Sequence, residues 1–275
     1  MQTYFVPTTL SEAIAYRTSG ARVLAGGTDL YPAAAAELPG PIVDLSQLTA
    51  LHGISQHEQG LRIGACTSWA TVAGADFPPA LAALQQAALQ VGGRQIQNAG
   101  TIGGNLCNAS PAADGVPPLL VVGAEVELAS ATGTRRLLLA DFISGPRQTL
   151  LKAGEILAAI WVPAAGLAGK SVFLKLGARA YLVISIAMVS ARLVVQDGHV
   201  THAALAVGSC SGVARRMPAV EALLKNAPVS AVAGLIRDTD VAAGLAPIDD
   251  IRATANYRAG AACELLRRAV LQAVL

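Results

Sequence analysis

Aromatic residues make up only 4% of this sequence and charged residues only 14%. That shortage excludes the basic, aromatic-interleaved stripe that grips nucleic acid. The net charge is +2, and the arginine pairs Arg135–Arg136, Arg215–Arg216 and Arg267–Arg268 stand isolated. The four cysteines, at 66, 107, 210 and 263, are separated by 41, 103 and 53 residues and form no C-x-x-C pair. Such spacing excludes a zinc site and an iron–sulfur ligand run, and leaves buried free thiols as the expected state for most of them. The four histidines (His52, His57, His199, His202) form no ligand pattern, and His199 and His202 flank a turn expected at the surface. No run reaches the roughly 18 apolar residues that a membrane span needs. The nearest, "YLVISIAMVSA" at 181–191, reads as a buried strand or helix segment. The N-terminus has neither a basic n-region nor a long apolar h-region, so no signal peptide and a cytoplasmic location are expected.

Hydrophobic residues are abundant at 53%, with a mean hydropathy of +0.50 over 275 residues. Much of that content is alanine, yet a chain this long can bury a sizeable core and hold more than one domain. The surface is poor in Lys and Glu, which fits a buried partner interface and an ordinary Ala-rich surface equally. Residues 8–19 read as a helix, with Ser11 as its cap, Glu12 in the first turn and Gly20 at its end. "ARVLAGG" follows as a strand, and "DLYPAAAAEL" as a short helix or turn before the Pro39–Gly40–Pro41 break. "PPALAALQQAALQVGG" (78–93) reads as one long helix opened by two prolines. Residues 94–120, dense in Gly, Asn, Ser and Pro, read as an unusually long loop, a feature often tied to function. A hairpin turns at Thr132–Gly133, and "GEILAAIWVP" is a strand. Composition shifts at 164–170, where a domain boundary is expected. Beyond it lie a second hairpin at Asp197–Gly198 and a helical region over 217–275. The pattern is α+β, without the regular βαβ repeat of a doubly wound fold.

Two glycine-bearing segments stand out. "ARVLAGGTDLYP" (21–32) ends a strand in Gly26–Gly27 and continues into Thr28 and Asp29. "NAGTIGGN" (98–105) carries Gly100, Gly103 and Gly104 with Thr101 and Asn105. Neither matches G-x-G-x-x-G or a P-loop. Successive glycines expose consecutive backbone N–H groups, a nest that binds anions without a basic side chain. Two such nests suit the two ends of a pyrophosphate, with Thr28, Thr101 and Asn105 adding side-chain hydrogen bonds. Asp29 fits as a cap of the following helix, pointing away from the ligand.

These two segments, with "LLLADFISGPRQTLLKAGEIL" (137–157) and "FLKLGARAYLVISIAMV" (173–189), closely resemble the FAD-binding subunit of the molybdenum hydroxylases, a family that includes xanthine dehydrogenase and carbon monoxide dehydrogenase. The resemblance runs end to end through four ordered motifs. It implies a two-part FAD-binding fold of the vanillyl-alcohol-oxidase type plus a C-terminal α/β domain like that of carbon monoxide dehydrogenase flavoproteins. The corresponding boundaries are 1–56, 57–168 and 169–275. It also implies that Arg22, Val23, Leu24, Ala25, Gly26, Gly27, Thr28 and Asp29 wrap the pyrophosphate side of FAD, with Leu30 near the isoalloxazine. Ala99, Gly100, Thr101, Ile102, Gly103, Gly104 and Asn105 form the second phosphate contact. Asp114 falls at the ribose–adenine end, and Leu157 and Lys175 also line the cofactor. Val91 departs from the aromatic residue that the vertebrate xanthine enzymes carry near the adenine. Cys107 alone stands where some relatives insert a cysteine-rich cluster loop, so no cluster is expected here. Thr28 and Asp29 stand where free-standing oxidases attach flavin covalently, so FAD is expected to be non-covalent.

The chain itself offers no nucleophile–base pair, no cluster cysteines and no metal site. The resemblance implies that the molybdenum cofactor and two [2Fe–2S] clusters sit on separate large and small subunits, in a dimer of heterotrimers. Electrons then reach FAD from the clusters and leave to a terminal acceptor, with NAD as one candidate. Two rival readings are a self-sufficient FAD oxidase of the same fold and a flavin-free scaffold subunit. Purines, aldehydes, CO and N-heteroaromatics are all compatible substrates of the complex, with the weight on a xanthine-type or N-heterocycle hydroxylase.

Overall fold

The computed structural model describes residues 4–34, 38 and 40–275. The described residues form four sheets. The first is parallel and three-stranded, in the order Tyr4–Phe5, Ile42–Asp44, Arg22–Leu24. The helix Leu10–Thr18 makes the crossover between its first two chain-order strands. Thr9, not Ser11, caps that helix: Thr9 Oγ1 accepts from the Glu12 amide at 3.2 Å, and Glu12 reaches back to the Thr8 amide at 2.9 Å. The T-x-x-E spacing of 9–12 is the capping-box signature, which sets the start two residues earlier than Ser11 would.

The second sheet is antiparallel and five-stranded, in the order Ile54–His57, Gly60–Gly64, Ile156–Pro163, Glu125–Ser130, Gly133–Leu138. Its central strand, "ILAAIWVP", is buried along seven of its eight residues, as a continuous apolar run requires. The largest core packs this sheet against the segment 69–122, with Trp69, Leu84, Ile102, Leu106 and Leu119 fully or almost fully buried. A two-stranded ribbon, Ile143–Gly145 with Gln148–Thr149, sits alongside.

Three sequence expectations need correcting in the middle of the chain. The stretch 78–93 is a 3-10 turn, Pro79–Leu81, and a short helix, Ala82–Ala88, rather than one long helix. Its C-terminal part breaks before Gly92, whose φ of +55° is the left-handed conformation that glycine tolerates. The long loop expected over 94–120 contains three helices: Arg94–Ala99, Ile102–Asn108 and Val116–Val121. Glycines inside the second and prolines at the start of the third disguised them; prolines there forfeit only amides that are orphaned anyway. The start of the 181–191 stretch is not buried: Tyr181, Leu182 and Ile184 are exposed, and the strand begins only at Ala187.

The fourth sheet, antiparallel, runs Lys170–Leu176, Ala187–Gln196, His199–Gly208, Arg215–Arg216. It buries one face against the helices Pro218–Leu224, Asp238–Ala243 and Ala255–Ala273 around a second core. Turns and irregular backbone separate those helices, so 217–275 is helical in three pieces. Arg192 Nε donates to the Val121 carbonyl at 2.7 Å and Arg216 Nη1 to the Leu120 carbonyl at 3.2 Å. Two arginines of this sheet thereby satisfy the last carbonyls of the Val116–Val121 helix and favour its negative end.

Candidate functional site

A cleft of about 820 Å³ opens between the end of strand Arg22–Leu24, the helix Ile102–Asn108 and the C-terminal strand carrying Lys175. Sixteen of the nineteen residues singled out above line it: Arg22, Val23, Ala25, Gly26, Gly27, Thr28, Asp29, Leu30, Gly100, Thr101, Gly103, Gly104, Asn105, Asp114, Leu157 and Lys175. Leu24, Ala99 and Ile102 do not. Leu24 and Ile102 are buried in the packing below, and the Ala99 carbonyl abuts Gly26.

The glycines serve two purposes. A Cβ on Gly26 would lie 2.7 Å from the Ala99 carbonyl carbon and 2.9 Å from the Gly100 Cα. On Gly103 it would lie 2.6 Å from the Ala65 Cβ. Both contacts are far inside van der Waals range, so these glycines first let protein meet protein. Gly27 also needs its φ of +69°. The two segments are thus pressed together at Gly26, which brings their cleft-facing atoms side by side.

Only the first segment is an open nest. Among the described residues, the amides of Gly26, Gly27, Thr28 and Asp29 have no protein acceptor. The second segment is a helix start whose amides are spent internally. Ile102 donates to Thr67 at 3.0 Å, Gly103 to Ala65 at 2.8 Å, and Asn105 to the Thr101 carbonyl at 3.1 Å. Gly104 donates to the Thr101 hydroxyl at 3.1 Å, which caps the helix. The expectation of two equivalent nests is therefore corrected. What this segment offers to a ligand is the Thr101 hydroxyl proton and the Asn105 amide, whose Oδ1 is buried with no partner among the described residues. Asp29 stands at the N-cap position of Leu30–Ala33 but makes no capping bond, so that expectation also fails. The rest of its stretch, residues 35–37 and 39, lies outside the described residues.

Asp114 and Lys175 form a buried ion pair, Oδ2 to Nζ at 2.6 Å, across from the C-terminal sheet to the turn before helix Val116–Val121. The Ser185 hydroxyl donates to the other carboxylate oxygen at 2.9 Å, and Lys175 also donates to the Gln90 carbonyl at 3.4 Å. Burial pushes the Asp114 carboxyl up, while Lys175 and Ser185 pull it back; the net direction is upward. Each carboxylate oxygen keeps a lone pair for a ligand hydroxyl or amine.

Sequence reasoning missed Arg17, Trp69, Cys107, Arg147 and the turn 182–184, all of which line the cleft. Cys107 is exposed and lines the cleft. Arg147 is held at a φ of +59° by its amide bond to the Ala109 carbonyl at 2.8 Å and by a side-chain bond to Asn108. A non-glycine residue in that region signals a constrained position, which no spacing rule reveals.

A long, mostly pre-formed groove with side-chain-free backbone donors at its centre and convergent polar groups along it is a dinucleotide-binding cleft. A flavin dinucleotide fits the donor set. Bare amides at 26–29 suit phosphate oxygens, and the side chains of Asn105 and Asp114 are of a kind that suits polar rings and hydroxyls.

The comparisons with known proteins define the class further. Residues 1–165 match the model of the FAD binding domain in molybdopterin dehydrogenase, and residues 172–273 that of the CO dehydrogenase flavoprotein C-terminal domain. The nicotinate dehydrogenase FAD-subunit of Eubacterium barkeri is 35% identical over 219 residues, covering 76% of this chain and 74% of that protein. The nicotine 6-hydroxylase medium subunit of Paenarthrobacter nicotinovorans is 30% identical, covering 92% of this chain and 89% of its own. The reconstituted CO dehydrogenase from Oligotropha carboxidovorans superimposes with a TM-score of 0.90 at 28% identity, over 99% of this chain and 97% of that one. The chain belongs to the FAD-binding medium subunits of the molybdenum hydroxylase family. Its cofactor is FAD, and it is an oxidoreductase subunit.

Proposed function

We propose that this chain is the electron-transfer subunit of a multi-subunit molybdenum hydroxylase. It would accept electrons from [2Fe–2S] clusters on a small subunit and pass them to a terminal acceptor. A large subunit would carry the molybdenum cofactor, and the whole would form a dimer of heterotrimers. The observation that carries this reading is the open amide run Gly26–Asp29 beside the orphaned Asn105 in one continuous cleft. Relatives named as FAD or medium subunits support the division of labour.

When bound, FAD supplies the ability to take up electrons singly and release them as a pair. The chain's own residues hold and orient it. Amides of 26–29 meet the pyrophosphate, Thr101 donates its hydroxyl proton, and Arg22, Leu30, Leu157, Asp114 and Lys175 bound the groove. Leu24, Ala99 and Ile102 act from beneath by fixing the segments that do the contacting. The sheets support the division 1–56, 57–168 and 169–275 in outline: the parallel sheet lies within the first part, the C-terminal sheet within the third, and the five-stranded sheet in the second except for its edge strand Ile54–His57, which straddles the first boundary. Thr28 and Asp29 stand in the first segment where free-standing oxidases carry a linking residue, which supports non-covalent attachment. Relatives named for nicotinate and nicotine favour an N-heteroaromatic substrate for the complex. NAD+ is a candidate acceptor, and the cytoplasm the expected location. No helix among the described residues is long and apolar enough to cross a membrane.

The test is the visible spectrum of the purified chain, followed by heat release and chromatography. Released FAD without iron–sulfur absorbance supports the reading. A colourless protein that takes up no added FAD refutes it in favour of a scaffold, and flavin retained on the denatured chain favours a free-standing oxidase.

A further inference from the structure

The strands Lys170–Leu176 and Ala187–Gln196 are hydrogen-bonded neighbours, with Leu176 opposite Ala187. The connection between them, 177–186, is longer than the roughly 2–5 residues usual for a hairpin. It carries Leu182, Val183 and Ile184 into the wall of the cleft. Leu182 and Ile184 are exposed, and Leu182 holds a left-handed φ of +52°. Exposed side chains fix a backbone poorly, so the course of this segment is set by something else. The next residue, Ser185, is fully buried and donates its hydroxyl to Asp114 Oδ1 at 2.9 Å.

The restraint comes from three charged side chains at the start of the last helix, Ala255–Ala273. Arg258 is 1% exposed. Its Nη1 donates to the Ile186 carbonyl at 2.6 Å and to the Ser209 carbonyl at 2.9 Å, and its Nη2 to Asp250 Oδ1 at 2.6 Å. Arg252 takes the neighbouring carbonyl: its Nη1 donates to Ser185 at 3.1 Å, and its Nη2 to Asp250 Oδ2 at 2.6 Å. One carboxylate thus holds two guanidinium groups, and these hold the consecutive carbonyls of 185 and 186. Hydrogen bonds from Arg252 above all, with Arg258 adding to them, keep the Asp250 carboxyl below the usual carboxylate range.

Helix stability does not account for Arg258. A cation near a helix N-terminus opposes the macrodipole, and a buried charge is costly unless paired and hydrogen-bonded. The carbonyls that it gathers account for it, because a guanidinium fork can engage two carbonyls and a carboxylate oxygen at once. The bonds run from Asp250 through the arginines to the backbone of 185 and 186. From Ser185 they continue to Asp114, which lines the cleft and holds Lys175.

We propose that Arg252 and Arg258, joined by Asp250, are positioning residues for the cofactor. By clamping the carbonyls of 185 and 186 they hold the cleft wall 182–184 in place and aim the Ser185 hydroxyl at Asp114. Neither arginine lines the cleft itself. This rests on the FAD reading above and extends the cofactor site to a part of the chain outside all four sequence motifs.

The experiment is a fluorescence titration of the flavin-depleted full chain with FAD, for wild type, Arg252→Leu, Ser185→Ala and the double variant, with amide hydrogen exchange over 182–186 followed without FAD. The Arg252 side chain is 34% exposed, and exposed ion pairs contribute little to stability, so the unliganded melting temperature of Arg252→Leu should stay near wild type. Each single variant is expected to bind FAD about tenfold more weakly. The double variant should also lose about tenfold, because both changes act on one contact, whereas independent effects would multiply to about a hundredfold. Exchange over 182–186 should quicken in Arg252→Leu. Asp250→Asn keeps the shape of the side chain and removes its charge; it should match Arg252→Leu in affinity and reports in its place should that variant disturb the fold. FAD uptake by both Arg252→Leu and Asp250→Asn within twofold of wild type, a hundredfold loss in the double variant, or unchanged exchange overturns the inference alone. A wild-type chain that takes up no FAD overturns the functional reading and this inference with it.

Discussion

A methyl group at Gly26 tests the physical account of the cleft more sharply than any charge change. Its Cβ would come within 2.7 Å of the Ala99 carbonyl carbon and 2.9 Å of the Gly100 Cα, against the 3.4 Å at which ordinary contact begins. The two segments must then part by at least about 0.7 Å, and the obstacle is backbone, which has no rotamer to retreat into. Overpacking costs about 1–3 kcal/mol, and a backbone-on-backbone clash belongs at the upper end. Gly26→Ala should therefore lose about 3 kcal/mol of stability, read as a fall of roughly 6–10 °C in melting temperature. Shifting the open amides of 26–29 by that distance also misaligns them with the phosphates. We expect FAD affinity to fall at least tenfold in titrations of the flavin-depleted chain, where 1.4 kcal/mol is tenfold. An unchanged melting temperature together with an FAD affinity within threefold of wild type would refute the claim that Gly26 is there for close approach.

Two further outcomes follow from buried charges. Lys175→Met leaves the Asp114 carboxylate buried without its ammonium partner, which should cost about 3 kcal/mol in urea unfolding, with most of it regained in the Lys175→Met/Asp114→Asn double variant; a loss below about 1 kcal/mol would count against a desolvated pair. His202 accepts from Arg192 Nη2 at 2.9 Å, and burial, then Arg192, hold its imidazole below the ordinary value. The unfolded chain binds that proton near pH 6.5 while the folded chain refuses it, so stability should fall as pH drops below about 6.5. His202→Gln keeps an acceptor and should flatten that slope between pH 7.5 and 5.5; identical slopes for the two proteins would reject the assignment.

The order of strands and the chemistry of the cleft differed in how far the sequence revealed them. The turn at Thr132–Gly133 and an apolar run exposed Glu125–Ser130 and Ile156–Pro163, because a strand's pattern is carried by its own residues. The helices over 94–121 were hidden because their glycines and prolines answer to neighbours. Gly103 is glycine on account of Ala65, 38 residues earlier in the chain, and no local rule reads that distance. The motif residues nevertheless came together, since sixteen of nineteen face one groove.

By itself, the sequence determined the family, the α+β class and the two glycine-bearing segments, because each is written in contiguous residues with a local physical meaning. Tertiary structure decided which amides remain open. Those of 26–29 meet no acceptor among the described residues, while those of 102–105 are consumed by Ala65, Thr67 and Thr101. It also decided the fate of lone charges. Lys175 became a buried partner of Asp114, and the Arg17 Nε was buried with no acceptor among the described residues. Hydrogen-bond satisfaction and burial are properties of what surrounds a residue in space, and chain order does not record them.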